Sequence, residues 1–189
     1  DSDILILKLD SLKNLLLTIP IGGINGEGFY YSCLKVTEQH EIILGGHYNY
    51  TWTNNSPGYK LTIGSDTLMA SNMDIFLAKF DSNGSSVMTK SMGSLGMDFV
   101  SSICLERTDI YVNATFYDAP SLIQIDSTQI YFPANYASTS LIIKFDDIGK
   151  LKWTRYFGST TNFNLGSGQI NISNSRVYIE GHDFSNTQN

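Results

Sequence analysis

The sequence predicts an all-β protein made of tandem four-stranded antiparallel units, and three observations carry that prediction. A strand ending in Lys-apolar-Asp occurs three times, a glycine closes the strand that follows each copy, and no stretch sustains the 3.6-residue apolar period of a helix.

The repeated strand reads DILILKLD at Asp3 to Asp10, DIFLAKFD at Asp74 to Asp81 and TSLIIKFD at Thr139 to Asp146. Lys8, Lys79 and Lys144 are spaced by 71 and then 65 residues, and Gly22, Gly93 and Gly158 keep the same two spacings. Two landmarks sharing one period mean one structural unit used again and again. Cys33 and Cys104, in YYSCLKV and SSICLER, also lie 71 apart and hold one position of the unit. A further strand recurs as IILGGH from Ile42 to His47, IYVNAT from Ile110 to Thr115 and VYIEGH from Val177 to His182.

Each unit therefore reads as four short strands rich in β-branched and aromatic residues and bounded by turn residues. FDSNGS at Phe80 to Ser85 and FDDIGK at Phe145 to Lys150 put Asp early and Gly where positive φ is needed. This makes Asp81 and Gly84 turn chemistry rather than a calcium loop. The order along the chain is a half unit over residues 1–30, full units over 31–96 and 97–160, and a half unit over 161–189. Between its second and third strands each full unit carries an insertion, LTIGSDTL at Leu61 to Leu68 and SLIQIDSTQIYF at Ser121 to Phe132. These are expected as hairpins or loops projecting at an edge, where repeat proteins commonly carry function.

Four-stranded units of this length match β-propeller blades with an insertion. The sequence is thus a partial propeller or part of a larger one; an open stack, in which each sheet buries its neighbour's face, satisfies the same pattern. The start, DSDILILKLD, falls inside a unit and the end follows a strand, so the expectation is a fragment of a longer chain.

Composition narrows the function classes. Only 16% of residues are charged, against about 25% in an average soluble domain, and the net charge is −6. Clustered Lys and Arg are missing, which excludes a nucleic-acid binder. No apolar run approaches the roughly 18 residues that cross a bilayer, so no membrane span is expected. A surface of Ser, Thr, Asn, Gly and Tyr suits an extracellular or cell-surface protein.

Few residues carry candidate chemistry. Neither Cys33 nor Cys104 has the neighbouring His and base of a nucleophile. Equivalent positions in adjacent blades usually lie beyond the roughly 7 Å that a disulfide needs, so both are read as buried free thiols on the innermost strands. A metal site requires His40, His47 and His182 to converge, and Thr115 interrupts the series that holds His47 and His182. No metal, cofactor or catalytic residue is therefore assigned, and the two histidines are read as strand-end imidazoles at the blade surface. Asp146 and Asp147 are a solvated turn pair. IGGINGEG lacks the Lys-Ser/Thr of a phosphate loop.

Tyr48, Tyr50, Trp52 and Tyr59 cluster in the Asn-rich NYTWTNNSPGY and suit contact with sugar or protein. Asn-x-Ser/Thr sequons at Asn49, Asn54, Asn83, Asn113 and Asn171 mark candidate glycosylation sites, and Asn113 falls within an expected strand.

DIFLAKFDSNGSSVMTKSMGS, followed by the strand DIYVNATF, resembles the SBBP-type β-propeller repeat of bacterial surface proteins. Asp74, Lys79, Asp81, Gly84 and Gly93 fit its pattern best. The first unit departs from it, with SLKN after Asp10 in place of the glycine turn, and Asn113-Ala114 stands where the pattern has Thr-Gly. The resemblance implies a propeller architecture and is silent on activity. The expectation is a non-enzymatic extracellular structural or adhesive module of a larger cell-surface protein, forming assemblies or filaments with other modules or copies of itself. The alternative is a carbohydrate-binding or carbohydrate-active propeller, with glycans bound in its channel or by its long insertions.

Overall fold

The computed structural model describes residues 4–23, 27–48, 59–70, 72–117, 122–131, 138–158, 163–164, 168–180 and 182–183. All regular structure among them is strand. The first two strands, β1 (Ile4–Leu9) and β2 (Leu15–Gly23), form a hairpin. They are followed by β3 (Glu27–Val36), β4 (Ile42–Tyr48), β5 (Tyr59–Ile63), β6 (Asp66–Ala70), β7 (Asp74–Phe80) and β8 (Ser86–Gly93). Next come β9 (Asp98–Glu106), β10 (Asp109–Tyr117), β11 (Leu122–Ile125), β12 (Thr128–Tyr131), β13 (Ser138–Phe145) and β14 (Leu151–Gly158). The last are β15 (Phe163–Asn164), β16 (Ile170–Ser173), β17 (Arg176–Ile179) and β18 (His182–Asp183).

Two complete antiparallel meanders result, β3-β4-β7-β8 and β9-β10-β13-β14. The hairpin β1-β2 precedes them. A final hairpin follows, made of the pairs β16-β17 and β15-β18. The antiparallel four-stranded repeat expected from the period is therefore present. Among the described residues, β1-β2 and the final hairpin share no hydrogen-bonded sheet.

The insertions are hairpins, as expected, but each is paired into the edge of the preceding sheet rather than standing free. The hairpin β5-β6, between the second and third strands of the second sheet, pairs with the first sheet through Gly22–Thr62 and Gly23–Leu61. The hairpin β11-β12 extends the second sheet through Gly93–Gln124 and Met92–Ile125. Each unit thus donates a hairpin to the last strand of the unit before it. A lone two-stranded hairpin is marginal in water, and addition to a sheet edge satisfies its backbone groups while burying Leu61, Ile63, Ile123 and Ile125.

The turns explain the shared strand endings. Asp81 Oδ1 accepts from the backbone amides of Asn83 and Ser85 at 2.9 and 2.8 Å, and Gly84 closes the turn at φ +86°. Asp146 Oδ1 accepts from the Lys150 amide at 2.7 Å, with Gly149 at φ +79°. The first unit makes the same turn without glycine. Asp10 Oδ1 accepts from Leu12 and Asn14, both at 2.8 Å, and Lys13 takes φ +69°. The Asn14 side-chain amide, with the turn's backbone amides, holds the Asp10 carboxyl below its usual range. The carboxylate therefore dictates the turn, and a non-glycine residue tolerates the left-handed position it imposes.

Sheets stack face to face, and the period-2 alternation of each strand serves both faces. Phe76, Ala78 and Phe80 point back to Ile4, Ile6, Ile19 and Ile21 of the first sheet. Ile75 and Leu77 point forward to Val100, Leu141, Ile143 and Phe145 of the third. Tyr111 and Ile142 meet Ile170, Val177 and Ile179 of the final hairpin. The central strands β4 and β7 are consequently buried along their whole length.

The lysines repeat as well. Lys8 Nζ donates to the Ser82 carbonyl and Lys79 Nζ to the Asp147 carbonyl, both at 3.3 Å, so each ties its strand to the turn of the next sheet. Lys79 also pairs with Glu41 at 2.9 Å and Lys144 with Asp109 at 2.6 Å, the acid in each case standing at the start of the second strand, immediately before it or as its first residue.

Candidate functional site

The sequence-predicted site residues scatter. Tyr50 and Trp52 lie outside the described residues, as do Asn49 and Asn54, and of Tyr59 only the backbone is described, as the start of β5. Tyr48 is not a surface contact. It is 1% exposed, packs edge-on against Phe76 with ring centroids 6.4 Å apart, and shares a 2.8 Å hydrogen bond with the Ser91 hydroxyl. Burial pushes its phenol pKa up. The reason is position: Tyr48 is the last residue of a strand covered on both faces.

Among the sequons, Asn83 and Asn171 are exposed. Asn113 is fully buried, and its Nδ2 donates to the Gly168 carbonyl at 2.9 Å. No glycosylating enzyme reaches it in the folded chain. It serves a polar clamp instead: Ser102 Oγ donates to the same carbonyl and accepts from the Ile170 amide, fastening the final hairpin to the third sheet.

His47 also departs from its sequence reading. It is buried, with its ring 5.4 Å from Phe99, which in turn meets Tyr117 at 5.7 Å. Loss of hydration on burial brings its pKa down to about 4, so it is neutral near pH 7. Cys33 and Cys104 are free and half-buried on β3 and β9. The Cys33 thiol donates to the Ser101 carbonyl at 3.3 Å, and burial raises its pKa, which weakens it as a nucleophile.

Two features missed from the sequence are more promising. The first is a cavity of about 480 Å³ where the last strand of the second sheet receives its hairpin, lined by Asp74, Ser91, Ser94, Gln124 and Asp126 with apolar Met69, Leu95 and Leu122. Asp126 reaches it from the β11–β12 turn, held by Lys90 at 2.8 Å and by the Ser91 amide at 3.1 Å. Asp74 opens β7, and its carboxyl lies where a side chain on Gly93 would stand, so only glycine at 93 leaves that carboxyl room. Beside it Asp98 is fully buried, accepting from the Ser94 amide at 2.6 Å and the Ser94 hydroxyl at 2.7 Å. Burial pushes Asp98 well above the usual carboxylate range, and the charge of Asp74 adds to the rise. A wall of carboxylate, hydroxyl and amide groups facing apolar side chains can hydrogen-bond a hydroxyl-rich ligand. Among the described residues no three His, Cys, Asp or Glu side chains converge as a metal site.

The second feature is the leading face of the first sheet. Leu5, Leu7 and Leu9 are more than half exposed. Aligned through Lys8 and Lys79, they occupy the positions of Phe76, Ala78 and Phe80, which the preceding sheet buries completely. The signal was present in DILILKLD, whose apolar residues occupy both faces of the strand rather than one.

No helix among the described residues is long and apolar enough to cross a membrane. No protein-family model matches this chain, and no curated protein matches its sequence.

Proposed function

We propose that this chain is a blade-repeat scaffold of β-propeller type that works by stacking sheets, as a structural or adhesive module of a larger extracellular protein. One observation carries the reading. The leucine face of the first sheet repeats, position by position, a surface that a neighbouring sheet covers in the two complete units. An apolar sheet face of this kind is a contact surface. The low charge, the exposed sequons at Asn83 and Asn171 and the resemblance to SBBP-type repeats support the extracellular assignment.

In the isolated protein the available cover is the same face of a second copy, an isologous pairing of two sheets about 10 Å apart. Sedimentation velocity across a concentration series tests this. The expected result is a monomer–dimer equilibrium abolished by Leu7→Lys, and a wild-type protein that stays monomeric at several hundred micromolar sinks the reading.

The cavity beside Asp74 favours a second reading, a carbohydrate-binding module. A glycan array with calorimetric follow-up separates the two. Specific glycan binding lost in Asp126→Ala, with no self-association of the wild type, would replace the scaffold reading.

A further inference from the structure

The final hairpin leaves one edge of β17 unpaired among the described residues, and beside that edge lies a groove of about 550 Å³ lined by Ile142, Trp153, Arg155, Phe157, Val177 and Ile179. The two complete units show what belongs there. Their second strands, β4 and β10, pair along this same edge with third strands β7 and β13. Those third strands send alternate apolar side chains, Phe76, Ala78 and Phe80 or Leu141, Ile143 and Phe145, onto the sheet before them. The groove is therefore the seat of an extended strand.

Charge tells which strand. In the complete units the acid at the start of the second strand, Glu41 or Asp109, pairs with the lysine of the third strand. In the third sheet Lys144 also lies 4.8 Å from the Tyr111 ring. Tyr178 keeps the aromatic place of Tyr111 in the final hairpin, but Arg176 stands where the acid should be. Arg176 and Tyr178 are both exposed. Lys8, Lys79 and Lys144 thus make every strand of this type within residues 1–189 a like-charged guest, including those of a second copy.

We propose that the open edge of β17 is a docking site for an extended strand of a partner polypeptide, with apolar residues alternating as in β7 and β13 and a carboxylate in place of their lysine. Backbone pairing along β17 supplies affinity, Trp153 and Phe157 receive the apolar side chains, and Arg176 selects the charge. The inference concerns an edge and stands apart from the leucine face, which lies on the first sheet.

Two synthetic peptides test it, one with the sequence of residues 72–81 and one with glutamate at the position of Lys79, titrated against the whole chain while Trp153 fluorescence and amide NMR shifts of β17 are followed. The glutamate peptide should bind about tenfold more tightly than the lysine peptide. Arg176→Glu should reverse that order while leaving the NMR spectrum of the second sheet unchanged. Equal affinity of the two peptides, a preference that survives Arg176→Glu, or no shift in β17 overturns the proposal. A Leu7→Lys background should leave the result unaltered, which separates it from the scaffold reading.

Discussion

The strands β1 and β7 have almost the same sequence pattern and opposite fates. Phe76, Ala78 and Phe80 are sealed against a neighbouring sheet, whereas Leu5, Leu7 and Leu9 at the same positions face outward. Apolar character in this repeat therefore does not report burial; it reports that a face is built to be covered. Whether it is covered depends on which sheet stands in front of it.

The largest expected effect follows directly. Phe76→Ala should lower unfolding free energy by about 3–5 kcal/mol in chemical denaturation, since it leaves a cavity between two sheets. Leu7→Ser should change it by no more than about 0.5 kcal/mol in the monomer. Similar losses at both sites would mean that the leading face is covered in solution.

A second contrast separates His47 from Asp98, both buried but shifted so that their contributions to stability change in opposite senses as the pH falls. His47 titrates near 6.5 when unfolded and near 4 when folded, so the unfolded chain binds the extra proton between those values. Its contribution is fully present above pH 6.5 and is lost as the pH falls to about 4, a change of about 3 kcal/mol. Asp98 is raised on folding, so the folded chain binds the extra proton, and its contribution declines as the pH rises above the ordinary carboxylate value. Denaturation midpoints between pH 4 and 7 should fall further with acid in the wild type than in His47→Gln, the difference being the His47 contribution that Asp98 partly offsets in both. An unchanged slope in that variant would assign the acid sensitivity elsewhere.

The smallest effect compares turns. Gly84→Ala should cost about 1–2 kcal/mol, because φ is +86° and an added Cβ would lie 2.9 Å from Leu17 Cδ2 of the neighbouring sheet. Lys13 holds the equivalent left-handed position at φ +69°, and Lys13→Gly should stabilise by roughly 0.5–1 kcal/mol. A destabilising Lys13→Gly would show that the lysine side chain compensates its own strain.

Much of this architecture was legible in one dimension. Lys8, Lys79 and Lys144 with their following aspartates and glycines announced the unit, and the turns at Asp81 and Asp146 followed from residue chemistry, since an Asx carboxylate bonds amides only a few positions away. The site was far less legible. Tyr48 was grouped with the Asn-rich segment that follows it and Asn113 was marked by its sequon, but both stand in strands that have no solvent side.

By itself the sequence determined everything local: strand periodicity, turn identity and the recurrence of one module, all set by interactions within a few residues. Only the tertiary structure decided that each inserted hairpin would complete the preceding sheet, that Asp74 and Asp98 would meet beside one cavity, and that Leu5, Leu7 and Leu9 would remain open to water. Those outcomes depend on contacts between residues some 20 to 70 positions apart, whose pairing is chosen by the joint burial of two faces and cannot be read from either strand alone.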